Sequence, residues 1–241
     1  MDRWTLFAAG AVLTVVPAMV GAQPRSIDTQ LGTVRVDTMA EGLEHPWGLA
    51  FLPDGRMLVT ERPGRLRIVS RDGRTSQSLS GTPKVFAEGQ GGLLDVALDP
   101  NFAANRLVYL SYAEPGDGGA STAVARGRLA DDGLRNVEVV FRQQPKVRGS
   151  QHFGSRLAFA PDGTLFITMG DRAKFDPAQD ISNHIGTIVR INPDGSVPTD
   201  NPFVGHQSAR PEIWSYGHRN VQAAAIHPRT GTLWEIEHGP R

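Results

Sequence analysis

Trp47-Gly48-Leu49-Ala50-Phe51-Leu52-Pro53-Asp54-Gly55, continued by Arg56-Met57-Leu58-Val59-Thr60, reads as a strand, a Pro-anchored turn and a strand that doubles back. Proline presets φ, aspartate bonds its own backbone and glycine accepts a left-handed φ, so the phrase specifies a β-hairpin. It returns as Leu93-Leu94-Asp95-Val96-Ala97-Leu98-Asp99-Pro100 before Arg106–Leu110, and as Arg156-Leu157-Ala158-Phe159-Ala160-Pro161-Asp162-Gly163 before Thr164–Thr168. A looser copy is Ala223-Ala224-Ala225-Ile226-His227-Pro228 before Gly231–Glu235. The markers Pro53, Pro100, Pro161 and Pro228 lie 47, 61 and 67 residues apart. A period of roughly 45 residues built from short strands is the mark of a propeller blade, with insertions stretching the later copies. A β-sandwich also has closely spaced strands, but it does not repeat one phrase at blade-length intervals. The expectation is an all-β propeller with about four to five blades in this chain.

Composition narrows the function. The chain has 241 residues, long enough for one sizeable core or two modest ones. Its 27 glycines and 17 prolines exceed the usual ~12 % share and are spread over many short clusters, which suits frequent tight turns. Lys+Arg and Asp+Glu balance at 25 each, with no basic stripe, so nucleic acid is not an expected partner. The absence of cysteine excludes a disulfide scaffold, thiolate zinc sites and a cysteine nucleophile. At the N-terminus, Met1-Asp2-Arg3 precedes an apolar run from Leu6 to Val16, then Pro17 and the small-residue exit Val20-Gly21-Ala22. Residues 1–22 therefore read as a cleavable export signal, and residues 23–241 as the incomplete propeller domain of a periplasmic or secreted protein. The apolar run is shorter than the ~20 residues of a spanning helix, so stable membrane insertion is not expected.

Three Gly-flanked polar motifs stand at one place relative to the repeat. Glu88-Gly89-Gln90-Gly91-Gly92 precedes the second copy, Ser150-Gln151-His152-Phe153-Gly154-Ser155 the third, and Tyr216-Gly217-His218-Arg219-Asn220 the fourth. In a propeller that place faces the axis, so Gln90, His152, Arg219 and Asn220 should converge on one site. Each also has a plainer reading. His152 is a general base or a structural loop histidine; Arg219 binds charge or bridges blades; Gln90 contacts a ligand or ties down its glycine loop. The seven histidines show no HxxxH or HxH pairing, which argues against zinc. Asp171 and Arg172 read as a structural ion pair. Asp99-Pro100-Asn101 reads as a turn, because it lacks the downstream acidic ligand of a calcium loop.

Gly-Gln-Gly-Gly-Leu-Leu (89–94), His-Phe-Gly-Ser-Arg-Leu (152–157), Gly-His-Arg-Asn (217–220), Glu-His-Gly-Pro (237–240) and the stretch Asp194-Gly195-Ser196 to Asp200-Asn201-Pro202-Phe203 together resemble the soluble quinoprotein sugar dehydrogenases, the glucose/sorbosone dehydrogenase family, and among them the aldose sugar dehydrogenases. The resemblance runs from about Leu31 to Arg241. It implies a six-bladed propeller holding pyrroloquinoline quinone (PQQ) and Ca2+ over its axis, oxidation of the C1 hydroxyl of aldoses to lactones, and an external electron acceptor. On the same resemblance His152 matches the base that takes the C1 hydroxyl proton, and Arg219 the arginine that polarises the quinone carbonyl. Gln90 and Asn220 match residues that bond the cofactor, and the carbonyls of Gly239 and Pro240 match calcium ligands. The soluble glucose dehydrogenases carry Asp directly before the base, where this chain has Gln151, which leaves the sugar range open. Members run on for roughly two more blades, so the chain reads as C-terminally truncated. Two other functions fit a propeller: a calcium-dependent lactonase, which would place carboxylates around the axis, and a non-catalytic binding propeller, which would not need both His152 and Arg219.

Overall fold

The computed structural model describes residues 24–239, so the export signal read in residues 1–22 and the calcium ligand read at Pro240 lie outside the described residues. Among the described residues, no helix is long and apolar enough to cross a membrane. They fall into two compact units divided after Met39. The first holds a hairpin of β1 (Arg25–Thr29) and β2 (Gly32–Val36), paired from Arg25↔Val36 to Thr29↔Gly32. Thr29 Oγ1 closes its turn by donating to the Gly32 carbonyl at 2.7 Å.

The second unit is a run of antiparallel sheets in chain order. The first sheet is β3 (Pro46–Phe51), β4 (Met57–Glu61) and β5 (Arg65–Val69). The second is β6 (Leu93–Leu98), β7 (Leu107–Gly116), β8 (Gly119–Ala130) and β9 (Gly133–Arg142). The third is β10 (Leu157–Phe159), β11 (Leu165–Thr168), β12 (Thr187–Ile191) and β13 (Ile213–Tyr216), and the fourth is β14 (Val221–Ile226) with β15 (Leu233–Glu237). Each repeated phrase supplies the first two strands of a sheet. Asp54 and Asp162 cap their turns by accepting the N–H groups of Arg56 and Thr164 at 3.0 and 2.9 Å. Asp99-Pro100-Asn101 is a turn, as read: Asp99 Oδ1 accepts from the Asn101 N–H and from Asn105 Nδ2, both at 2.8 Å, at the start of the one-turn helix α1 (Phe102–Asn105).

The first strands follow one another, β3 against β6, β6 against β10 and β10 against β14. That succession of meanders is a β-propeller, four of whose sheets lie among the described residues. Apolar faces close between neighbouring sheets. Leu58, Leu66, Leu93 and Leu110 fill the space between the first and second, and Tyr109, Val124, Leu165 and Val189 that between the second and third. Phe166, Ile188 and Val221 begin the next layer.

One polar device repeats at every junction. Thr60 Oγ1 accepts the Gly48 N–H of its own sheet at 2.8 Å and donates to the Leu94 carbonyl of the next. Ser111 Oγ accepts from the Asp95 N–H at 2.8 Å and donates to Ser155 O at 2.6 Å. Thr168 Oγ1 accepts from the Arg156 N–H at 2.9 Å and donates to Val221 O at 2.8 Å. A hydroxyl both accepts and donates, so one short side chain serves two sheets.

Candidate active site

The loops that enter β6, β10 and β14 meet, and they carry the residues singled out above. Gln90 Oε1 accepts the His152 N–H at 2.8 Å, and the Gln90 N–H in turn donates to Ser150 O at 2.7 Å. Arg62, at the end of the first sheet's hairpin, holds that glycine loop through the carbonyls of Gly89 and Gly91. Asn220 Oδ1 accepts the Gly154 N–H at 3.1 Å. Gln90, His152 and Asn220 are thus joined, and both amide oxygens hold the His152 loop.

His152 is buried and sits at φ 54°, a left-handed conformation that costs a non-glycine residue energy and that clusters at functional sites. Ser155, Arg172, Ala173 and Phe175 share it, at φ 88°, 55°, 55° and 62°. The crowding is real: a Cβ on Gly170 would overlap the His152 carbonyl, so only glycine lets β11's exit pass this close.

His152 Nδ1 lies 2.6 Å from Asp171 Oδ1, with both side chains at most 9 % exposed. An ionised carboxylate can only accept, so Nδ1 carries the proton and Nε2 keeps its lone pair. Asp171 is itself fixed. Its Oδ1 also accepts the Ala173 N–H at 2.8 Å, and its own N–H donates to the Arg219 carbonyl at 2.9 Å.

The expected Asp171–Arg172 ion pair does not form. The successive left-handed residues Arg172 and Ala173 turn the chain back, so the two side chains diverge. The Arg172 guanidinium instead stacks 3.5 Å above the Phe153 ring and donates from Nη2 to Gly149 O at 2.7 Å. Burial pulls its pKa down to about 10, opposed only in part by the charge of Asp171. The dipeptide Asp171-Arg172 therefore grips His152-Phe153, carboxylate on imidazole and guanidinium on ring. Sequence reasoning missed this grip; the available signal was that Asp171 leaves the third copy's second strand beside the loop carrying His152.

Arg219 is half-buried, and its Nη1 donates to the carbonyls of His238 and Gly239 at 2.7 and 3.3 Å. It borders a cleft of about 330 Å³ lined by Asp171, Phe175, Gln179, Gly217, His218 and Arg219. A larger groove of about 500 Å³ lies between the third and fourth sheets, but its one guanidinium, Arg190, is already paired with Asp162 and Asp200 at 2.7 and 2.9 Å.

A buried histidine is thus held by a carboxylate, Asp171, that itself lines the small cleft bordered by the half-buried Arg219. Aldose sugar dehydrogenase YliI of Escherichia coli K12 is 49 % identical over 213 residues, covering 87 % of this chain and 57 % of the relative. A crystal structure of a glucose dehydrogenase superposes with a TM-score of 0.82 at 54 % identity, over 84 % of this chain and 60 % of its own. The PQQ-bound aldose sugar dehydrogenase of Streptomyces coelicolor superposes with a TM-score of 0.75 at 32 % identity, over 91 % and 62 %. The chain thus spans somewhat more than half the length of these relatives. With the profile of the Glucose / Sorbosone dehydrogenase family matching residues 43–241, the chain belongs to that family.

Proposed function

We propose that this chain carries the base and the cofactor-facing cation of an exported sugar oxidoreductase that converts the C1 hydroxyl of aldoses to a lactone, with PQQ and Ca2+ as cofactors and an external electron acceptor. The observation that carries the reading is the His152–Asp171 pair beside Arg219. The PQQ in the Streptomyces coelicolor relative supports the cofactor. The residues present fit it: the cleft has a volume suited to a small molecule, and Arg219 and His218 offer donors to an anionic, planar ligand. Of the two carbonyls matched to calcium ligands, Gly239 O lies within the described residues, 3.3 Å from Arg219 Nη1, and a hard backbone oxygen of this kind suits calcium.

When bound, PQQ supplies the two-electron acceptor for the hydrogen on the sugar's C1. Everything else falls to the chain. His152 Nε2 takes the hydroxyl proton while Asp171 holds Nδ1–H and so keeps the reactive lone pair on Nε2. Arg219 presents a fixed positive charge to the cofactor's oxygens, and Gln90 and Asn220 hold the loop and cofactor edge around it.

The test is to titrate the protein with PQQ and Ca2+ and follow the bound-quinone absorbance on adding aldose. We expect stoichiometric binding and a sugar-dependent spectral change. His152→Ala should keep the binding and slow the change by roughly 10²–10⁴-fold. Absence of binding in the unaltered protein, or full-speed turnover in His152→Ala, would overturn the proposal.

A further inference from the structure

Glu237 ends β15 and pairs across to Val221, the first residue of β14. In the first sheet the same place belongs to Glu61, at the end of β4 opposite Pro46, the first residue of β3. The two carboxylates act alike. Glu61 Oε1 accepts the N–H of Glu44, two residues before Pro46, at 2.6 Å. Glu237 Oε2 accepts the N–H of Arg219, two residues before Val221, at 2.6 Å, and that of Asn220 at 3.2 Å.

The other sheets do without a carboxylate there. Tyr112 faces Leu93 in the second, and in the third the chain runs from Thr168 into Met169. A sheet of this propeller therefore closes whether or not that residue is acidic. A buried or half-buried N–H ahead of an inner strand needs an acceptor; the first and fourth sheets supply a carboxylate from the neighbouring strand, where the third is served by the amide oxygens of Gln90 and Asn220.

In the fourth sheet those N–H groups belong to Arg219, which borders the cleft, and to Asn220, which holds the His152 loop through the Gly154 N–H. The Arg219 carbonyl is meanwhile taken by the Asp171 N–H at 2.9 Å. The main chain of Arg219 is thus held on one side by Glu237 and on the other by the residue that orients His152.

We infer that Glu237 is a positioning residue. Through the N–H groups of Arg219 and Asn220 it sets the separation between the cation and the base, and it keeps Asn220 Oδ1 on the Gly154 N–H. The inference rests on the proposed sugar-oxidising site for its catalytic meaning, but its structural content can be tested without any cofactor.

The experiment compares Glu237→Met, the residue the third sheet uses, with Glu237→Gln, which keeps an acceptor and loses the charge. Three quantities are read: thermal unfolding, amide hydrogen exchange, and PQQ affinity in the presence of Ca2+. For Glu237→Met we expect an unfolding temperature close to the unaltered protein. Exchange at the Arg219 and Asn220 amides should rise on the order of 100-fold while amides inside β10–β12 keep theirs, and PQQ should bind on the order of tenfold more weakly. Glu237→Gln should fall between. Unchanged exchange and unchanged affinity in a folded Glu237→Met would overturn the inference. If Glu237→Met does not fold, a Glu237→Gln protein with unaltered exchange and affinity would overturn it equally. Failure of the unaltered protein to bind PQQ would remove the sugar-oxidising reading and leave the exchange result to decide the role of Glu237.

Discussion

Replacing Asp171 by Asn removes one charge and little else. The side chain keeps its shape, and an amide oxygen can still accept from His152 Nδ1 and from the Ala173 N–H, now 2.6 and 2.8 Å from Asp171 Oδ1. What disappears is the negative charge beside an imidazole that becomes cationic as it takes a proton. With the charge centres ~4 Å apart and an effective dielectric of ~20, the pair is worth about 4 kcal/mol at full proton transfer. A transition state with the proton about half transferred realises roughly half of that, so Asp171→Asn should lower kcat about 30-fold. KM and PQQ affinity should stay near their starting values, because neither depends on the imidazole's charge. Steady-state kinetics with an aldose and an artificial acceptor, on protein loaded with PQQ and Ca2+, reads the number directly. A kcat within twofold of the unaltered enzyme, with loading verified, would refute the charge-stabilising role of Asp171. A loss of loading would instead make Asp171 a scaffold residue.

Arg219→Lys keeps a charge but loses the planar guanidinium whose Nη1 now bonds the His238 and Gly239 carbonyls. PQQ titration should show clearly weaker binding, and kcat should drop tenfold or more, whereas unaltered kinetics would reduce Arg219 to a surface cation. Thr168→Val is nearly isosteric but leaves the Arg156 N–H and the Val221 carbonyl without their shared partner, so denaturant unfolding should show a loss of about 1–3 kcal/mol; no loss would mean the hydroxyl contacts are incidental. Glu61 is fully buried. Burial pushes its carboxyl pKa up, but the bonds from Arg65 and from the Glu44 N–H, with the charges of Arg65 and Arg67, leave it below its ordinary 4.5. A carboxyl held low stabilises the fold above its unfolded pKa, and that contribution is lost as the pH falls through the folded value. Thermal unfolding from pH 7 to 3 should therefore lose stability below about pH 4.5, and Glu61→Gln should be less stable at pH 7 with a flatter acid limb; parallel limbs would contradict this.

The hairpins were legible because their turns need particular residues: Pro53-Asp54-Gly55 and Pro161-Asp162-Gly163 both announce a chain reversal. The outer strands were not, since the Pro193-Asp194-Gly195 turn after β12 leads into a long irregular stretch before β13 instead of a strand that doubles back at once. The meeting of Gln90, His152 and Asn220 followed from repeat register alone, because each stands just ahead of an inner strand. The partners of Asp171 and Arg172 were hidden for a conformational reason. Two left-handed residues in succession are rare away from glycine, and no local pattern announces them. Glu237 was equally silent, since its meaning lies in a pairing with Val221 that no local pattern encodes.

The junction hydroxyls of Thr60, Ser111 and Thr168 have a bearing on how such a chain can grow. Each repeat brings its own donor and asks of its successor only a main-chain carbonyl, which every residue type possesses. The receiving side of the joint is blind to side-chain identity. At this contact a duplicated repeat therefore needs no matching side chain in its new neighbour, and matching is left to the apolar faces between the sheets. Divergence is then free to act on the loops ahead of the inner strands, where Gln90, His152 and Arg219 stand. The scaffold copies itself by a generic rule, and the chemistry is written where that rule makes no demand.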